Sequence, residues 1–314
     1  MWGFTNPGNS CKVKETKPRR EGTRRMIYAV CNPIAGNGRG RKAGERIQEL
    51  LKSKGLAFQI LWTERPGHAT ELAKQACDAG ADTVLSIGGD GTSFEVAQGL
   101  AGSDTALGII PAGTGNDFVK TLGVPKEPEA ALEFLLTHPP RLTDAGEING
   151  RMFLNEVGTG FDVSVLDWAA KAKRYCRGLM PYLYGVIQTL FRFRSIPLTY
   201  SIDGKPFVTR EVFVVAVANG GIIGGGIPIA PEAKADDGLF DVVIVGKVRK
   251  RDLIPRLAGL MRGRILTFPE TEFVRASSVV FSSPHMRVNI DGEIAPAEQA
   301  IVRVLPKRLW IHRA

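Results

Sequence analysis

The sequence predicts an α/β fold, with a parallel-sheet domain first and a β-rich domain after it, and three observations carry that expectation. Between residues 26 and 140, short apolar runs alternate with amphipathic segments, the pattern of a parallel sheet with helical crossovers. The loops richest in glycine and polar residues follow the apolar runs, where open α/β sheets bind ligands. Beyond Pro139-Pro140 the alternation gives way to strand-like runs punctuated by Asn149-Gly150, Asp203-Gly204 and Asp291-Gly292, as in antiparallel hairpins of a sandwich or barrel.

Residues 1–25 carry Lys12, Lys14, Lys17, Arg19, Arg20, Arg24 and Arg25 without periodicity, and are expected to form a basic, flexible tail. Met26 to Cys31 reads as a strand, followed by the turn-rich Asn32-Pro33-Ile34-Ala35-Gly36-Asn37-Gly38 and a helix from Arg41 to Lys54. Ala57 to Trp62 is a second strand ending at Thr63, and a helix opens near His68 and runs to Ala79. Thr83 to Ile87 is a third, closed by Gly88-Gly89-Asp90-Gly91-Thr92 and a helix carrying Phe94 and Glu95. Ala106 to Ile110 is a fourth, followed by Pro111-Ala112-Gly113-Thr114-Gly115-Asn116-Asp117-Phe118, and Glu127 to Leu136 is helical.

In the second part, strands are expected at Leu142 to Ile148, Arg151 to Val157, Leu198 to Ile202, Glu211 to Asn219, Gly238 to Val245, Ser277 to Ser282, Met286 to Ile290 and Ile301 to Leu305. Two helical, basic interruptions stand among them, Val163 to Phe193 and Lys247 to Arg264. The boundaries expected are 26–140 for the first domain and 141–300 for the second, with 301–314 a segment able to return to the first.

Composition narrows the partners. The 314 residues carry a net charge of +9, with a pI near 9.5, which favours an anionic ligand or surface. No recognition-helix or zinc-finger pattern supports nucleic acid. The four cysteines and four histidines show no metal-ligand spacing, so reduced thiols in a cytoplasmic protein are expected. No run approaches the ~20 apolar residues of a membrane span, and no secretory signal is seen.

A strand, a glycine turn and a helix start aim backbone N–H groups at a phosphate. Gly88 to Thr92 has that order but is neither the P-loop nor the dinucleotide string, and it carries a carboxylate, which points to phosphate with magnesium. A plain turn capped by Asp90 fits the same residues equally well.

Gly88 to Thr92 followed by PAGTGNDF at 111–118 resembles the diacylglycerol kinase catalytic family, which includes bacterial soluble lipid kinases, sphingosine kinase and ceramide kinase. The resemblance continues through NPIAGNG at 32–38, Thr63, His68-Ala69, NEVGTGFD at 155–162, DDGLFDV at 236–242 and DGE at 291–293. It implies a Rossmann-like nucleotide domain with the GGDGT loop, and a β-rich domain for the lipid. It implies ATP and Mg²⁺ as cofactors, a lipid hydroxyl as acceptor, and diacylglycerol or a related glycerolipid as substrate.

By that resemblance Asn32, Pro33, Gly36, Thr63, Gly88, Gly89, Asp90, Gly91, Thr92, Glu95, Thr114 and Asn116 contact the nucleotide. Asp90, Asp117 and Asp144 hold the catalytic magnesium through water. Glu293 is the expected proton acceptor, with Asp291 second or its partner. Lys234, Asp237 and Leu239 correspond to a segment that binds a structural Mg²⁺. The chain departs from the family at Phe94, where an Asn is usual, so the hydrogen bond of that amide is missing.

The remaining expectations concern location and rivals. The basic-aromatic segment with Trp168, Lys171, Lys173, Arg174, Tyr175, Arg177, Tyr182, Tyr184 and Phe191 is expected to dock on an anionic membrane surface, peripherally at the inner face. A homodimer is left open. The alternatives are NAD kinase activity, which shares GGDGT, and a non-catalytic binder of anionic membranes.

Overall fold

The computed structural model describes residues 26–172, 174, 175, 178 and 180–314. The expected basic tail, and Lys173, Cys176 and Arg177 of the basic-aromatic segment, lie outside the described residues.

The first domain runs β1 (Met26–Cys31), α1 (Ala35–Ser53), β2 (Ala57–Trp62), α2 (His68–Asp78), β3 (Thr83–Gly88), α3 (Asp90–Leu100), β4 (Ala106–Pro111), α4 (Asp117–Thr121) and α5 (Pro128–Thr137). Its strands are parallel in the order β2-β1-β3-β4. β1, β3 and β4 are almost wholly buried, as expected of strands covered on both faces. α1 packs with α5 and α2 with α3. Gly36, Asn37 and Gly38 take left-handed backbone, so the regular helix of α1 starts beyond them, close to the Arg41 expected.

The second part runs β5 (Pro140–Ile148), β6 (Arg151–Phe153), β7 (Glu156–Gly160), α6 (Phe161–Ala172), α7 (Met180–Arg192), β8 (Ile196–Ile202), β9 (Val208–Ala218), β10 (Ile222–Ile223), β11 (Ile227–Pro228), β12 (Phe240–Gly246), α8 (Leu253–Leu260), β13 (Thr271–Ala276), β14 (Ser278–Ser282), β15 (Arg287–Ile290), β16 (Glu293–Pro296) and β17 (Gln299–His312). The pairs among its own strands are antiparallel. Phe153, Phe240 and Phe281 are fully buried in its core. A second apolar cluster lies under α8, with Ala216, Val243 and Ile265.

β17 joins the two parts. Residues 299–303 of it pair with β14, residues 302–305 and 309–312 with β5, and Ile311 lies parallel to Leu107 of β4. The register shifts between Leu305 and Leu309, where Lys307 takes a left-handed φ of 51°. Asp144 clamps this break: one oxygen accepts the Lys307 N–H and the other the Gly238 N–H, both at 2.7 Å.

The structure alters several expected strands. The single run Arg151 to Val157 is two strands, because the N–H groups of Leu154 and Asn155 turn to Asp291 instead of a ladder. Ile301 to Leu305 lies in the first half of a 14-residue strand. β13, with its mixed polar and apolar residues, was not expected. Among the described residues, no helix is long and apolar enough to cross a membrane.

Candidate active site

Because β2-β1-β3-β4 is parallel, the loops after all four strands emerge at one edge. They converge closely enough to need glycine. A Cβ on Gly113 would lie 2.3 Å from the Gly89 Cα, and one on Gly36 would lie 2.1 Å from the Ala112 oxygen. A cavity of about 470 Å³ opens there, lined by Asn32, Pro33, Gly36, Thr63, Gly89, Gly91, Thr92 and Glu95 among others. Asn32 Nδ2 donates to Thr92 Oγ1 at 3.1 Å, tying the first loop to the third. Gly88 packs its Cα face on Thr92, where a Cβ would meet Oγ1 at 2.5 Å. Glu95 spans the cavity wall, its two oxygens accepting the N–H groups of Gly67 (2.9 Å) and Ala69 (3.1 Å). It therefore fixes the start of α2 and the loop carrying Thr63, a positioning role distinct from the nucleotide contact expected of it.

On the other side of the 111–116 loop lies a basic cavity of about 660 Å³, lined by Thr114, Arg39, Lys42, Arg46, Lys120 and Lys126. Arg39 is anchored by two carbonyls, Gly36 O at 3.0 Å and Gly113 O at 2.6 Å. Asn116, at a left-handed φ of 51°, uses its side chain to hold both the N–H and the carbonyl of Gly113, each at 3.0 Å.

Asp90 and Asp117 meet around Gly115, where a Cβ would lie 3.0 Å from Asp90 Oδ2 and 3.4 Å from Asp117 Oδ2. Asp90 accepts the backbone N–H groups of Asn116 (2.7 Å) and Asp117 (2.8 Å). Asp117 accepts Lys120 Nζ and the Gly225 N–H, both at 2.7 Å. Burial, with the neighbouring charge of Asp117, raises the Asp90 pKa despite those amides. Two crowded carboxylates of this kind suit a magnesium ion, which takes one or two carboxylates, water and substrate phosphates rather than a full protein cage. Among the described residues, no group of three or more His, Cys, Asp or Glu side chains is gathered closely enough to hold a metal. Asp144 in particular does not stand with the pair: both its oxygens are committed to the β17 clamp, and it lines none of these cavities.

The pair opens into a cavity of about 310 Å³ between the domains, lined by Asp90, Asp117, Glu156, Asp162, Tyr182, Asn289 and Asp291 among others. Asp291 sits in a nest of three amides, accepting from Leu154 (2.7 Å), Asn155 (2.8 Å) and Glu156 (2.9 Å). Burial outweighs those bonds and pushes its pKa up to about 6, with the Asp90 charge adding to the rise. Glu293, the acceptor expected first, is elsewhere. Its exposed carboxylate pairs with Arg151 and lines none of the cavities described. The Asp-Gly turn at 291–292 explains the separation, since β15 and β16 leave it in opposite directions.

Glu156 and Asp162 were not singled out individually in the sequence, although the NEVGTGFD string contains both. Asn289 Nδ2 bridges them, at 2.8 and 3.2 Å. One oxygen of each is buried without a partner. Burial raises both pKa values, and for Glu156 the charges of Asp162 and Asp291 add to it. The polar cavity shares Asp162, Tyr182 and Ile223 with an apolar one of about 80 Å³, walled by Val186, Leu190, Phe213, Leu253, Leu257 and Leu260 among others.

At the segment expected to hold a second magnesium, Asp237 accepts its own Leu239 N–H at 3.1 Å and faces Arg275 at 3.6 Å. Arg275 also pairs with Asp241 at 3.1 Å. The chain thus supplies its own cation to this carboxylate, and Lys234 is exposed beside it.

Residues 26–148 match the model of the diacylglycerol kinase catalytic domain, and residues 155–313 that of the YegS C-terminal NAD kinase beta sandwich-like domain. A diacylglycerol kinase of Mycobacterium tuberculosis is 31% identical over 91% of this chain and 94% of its own length. A diacylglycerol kinase of Bacillus subtilis is 32% identical over 86% of this chain and 89% of its own. Two solved structures share the fold. A diacylglycerol kinase from Bacillus anthracis superposes with a TM-score of 0.69 at 24% identity, over 94% of this chain and 98% of that one. An NAD kinase from Archaeoglobus fulgidus in complex with ATP gives 0.53 at 15%, over 92% of this chain and 94% of that one.

Proposed function

Since this chain belongs to the diacylglycerol kinase catalytic family and is a lipid kinase, we propose that it transfers the γ-phosphoryl group of ATP, with magnesium, to the hydroxyl of diacylglycerol or a related glycerolipid. The observation that carries this reading is the placement of Asp291 in one cavity with Asp90 and Asp117, although some two hundred residues separate them.

The base of ATP lies in the cavity of Asn32, Thr63 and Glu95, and its phosphates run over Gly36, Gly89 and Gly91 toward Thr114 and Arg39. Glycines there bring backbone N–H groups close to the phosphates, and Arg39 and the nearby lysines offset their charge. Asp90 and Asp117 would hold the magnesium, which when bound would neutralise charge on the transferring phosphoryl group. Asp291 accepts a hydrogen bond from the lipid hydroxyl and takes its proton as the oxygen attacks phosphorus in line, with ADP leaving. The partnerless oxygens of Glu156 and Asp162 accept from other donors on the headgroup.

The apolar cavity takes the start of an acyl chain. At ~30 Å³ for a water-sized group, it holds only a few methylenes as it stands. α8 forms one wall of it through Leu253, Leu257 and Leu260, and buries none of its residues fully. α7 turns Val186 and Leu190 inward and leaves Met180, Leu183, Ile187 and Phe191 exposed. Trp168 next to it lies under Lys171 (4.3 Å) and Arg192 (5.0 Å). Apolar and cationic groups on one face suit peripheral docking on an anionic membrane, at the mouth through which the lipid enters.

Radiolabelled ATP offered with a panel of lipids in mixed micelles tests the reading, with Asp90→Ala as control and NAD in a parallel tube. Labelled glycerolipid that disappears in the variant supports it. Label in NAD and in no lipid overturns it.

A further inference from the structure

Phe94, the residue at which the chain leaves its family's pattern, is met across the line between the domains by Arg151. The guanidinium lies 5.6 Å from the ring centroid of Phe94, which is buried in α3 four residues beyond Asp90. The same guanidinium donates through Nη2 to Glu293 Oε2. Glu293 opens β16 and pairs with Ile290 across the turn that carries Asp291. Arg151 itself stands at the start of β6, pinned to Ile148 of β5. One side chain thus touches the helix that carries Asp90 and the turn that carries Asp291.

We propose that Arg151 is a positioning residue for phosphoryl transfer: seated on Phe94, it holds the Asp291 turn at a fixed offset from the nucleotide helix through Glu293. The inference rests on the kinase reading above. Asp291 and Gly292 take the left-handed backbone of a tight hairpin turn, with φ of 48° and 91°. The turn is held inside by the amides on the Asp291 carboxylate, by the Asp291 N–H on Glu156 O (3.1 Å) and by the Gly292 N–H on Asn289 Oδ1 (2.8 Å), and on its exposed side Arg151 meets it through Glu293. The chemistry also requires arginine. A planar guanidinium stacks on a ring and forks to a carboxylate at once, whereas a lysine ammonium is a point charge on a flexible stem. Displacement of a reacting group by about 1 Å lowers rates on the order of a hundredfold, so a tether between donor and acceptor sides acts on kcat rather than on ATP binding.

The test is a mutant cycle with Arg151→Met, Arg151→Lys, Phe94→Leu, Glu293→Gln and the double variant Arg151→Met with Glu293→Gln, assayed at saturating lipid. Arg151→Met is expected to lower kcat at least about tenfold, with KM for ATP within about twofold, and Arg151→Lys not to rescue it. Glu293→Gln behaves alike, Phe94→Leu gives a smaller loss of the same kind, and the double variant falls no further than the worse single one. A kcat for Arg151→Met within about twofold of the parent, or losses that multiply in the double variant, overturns the proposal. Wild-type transfer to lipid in the same assay reads the kinase function separately. Should that fail, amide exchange over residues 289–293 judges the tether by itself, and an unchanged rate in Arg151→Met overturns it.

Discussion

The carboxylate of Asp90 carries the turn that presents Asp117: it accepts the Asp117 N–H at 2.8 Å and that of Asn116 at 2.7 Å. One aspartate of the proposed metal pair is therefore also the support of the other. Asp90→Asn keeps the volume but sets an amide NH₂ against backbone donors. It is expected to cost about 1–3 kcal/mol of stability, as a buried group left unsatisfied does, and to abolish lipid phosphorylation. Urea denaturation beside the kinase assay reads both, and an active Asp90→Asn protein would remove the aspartate from the mechanism.

Asp291 gives the pH dependence. Burial and the charge of Asp90 raise its pKa to about 6, while Glu156, Asp162 and Asp117 are the other acids facing the same cavity. A base must be ionised, so kcat is expected to rise with pH through about 6 and then level. A cation held by Asp90 and Asp117 moves that limb to lower pH. The stability sign is opposite. The folded protein binds the proton more tightly than the unfolded chain, whose aspartate titrates near ~3.9, so this group's contribution falls as pH rises from about 4 to about 6. Asp291→Asn is expected to lose roughly 10²–10⁴ in kcat and to flatten that part of the stability profile. A variant that keeps the acid limb shows that another group titrates.

Much of this was legible in the chain. The parallel sheet declared itself through short buried runs, and the four loops followed from their place at the strand ends. What the sequence could not order was the DGE string. Asp291 and Glu293 are two residues apart, and only the left-handed turn between them sends one into the cavity and the other to Arg151 at the surface. Asp144 misled for a similar reason: an acid near a motif looks like a ligand until the Lys307 N–H at the β17 break and the Gly238 N–H of a distant loop are seen beside it. The Glu156–Asp162 pair was hidden because its carboxylates are brought together by Asn289 from a strand more than a hundred residues away.

Filling the apolar cavity separates acyl recognition from chemistry. Leu190 faces into it from α7. Leu190→Trp is expected to raise KM for a long-chain diacylglycerol severalfold, on the scale of about 1–3 kcal/mol for an overpacked site, while a short-chain analogue and ATP keep their KM values. Equal loss with both acyl lengths places the chain elsewhere.

The exposed face of α7 gives the last prediction. Leu183, Ile187 and Phe191 point away from the cavity, so replacing them by Ser leaves the lining of the site untouched. Burying such side chains contributes about 1.5–3 kcal/mol each when complete, and docking buries them in part. The triple variant is expected to sediment with anionic vesicles at least about tenfold more weakly, while its kcat on a water-soluble short-chain lipid stays at the parent value. Salt is expected to weaken binding of the parent, because each cation near an anionic surface contributes about 1 kcal/mol and is screened within roughly 8 Å at physiological ionic strength. Parent protein that binds neutral and anionic vesicles alike would assign docking to apolar contact only, and a triple variant that binds as the parent does would move the docking surface off α7.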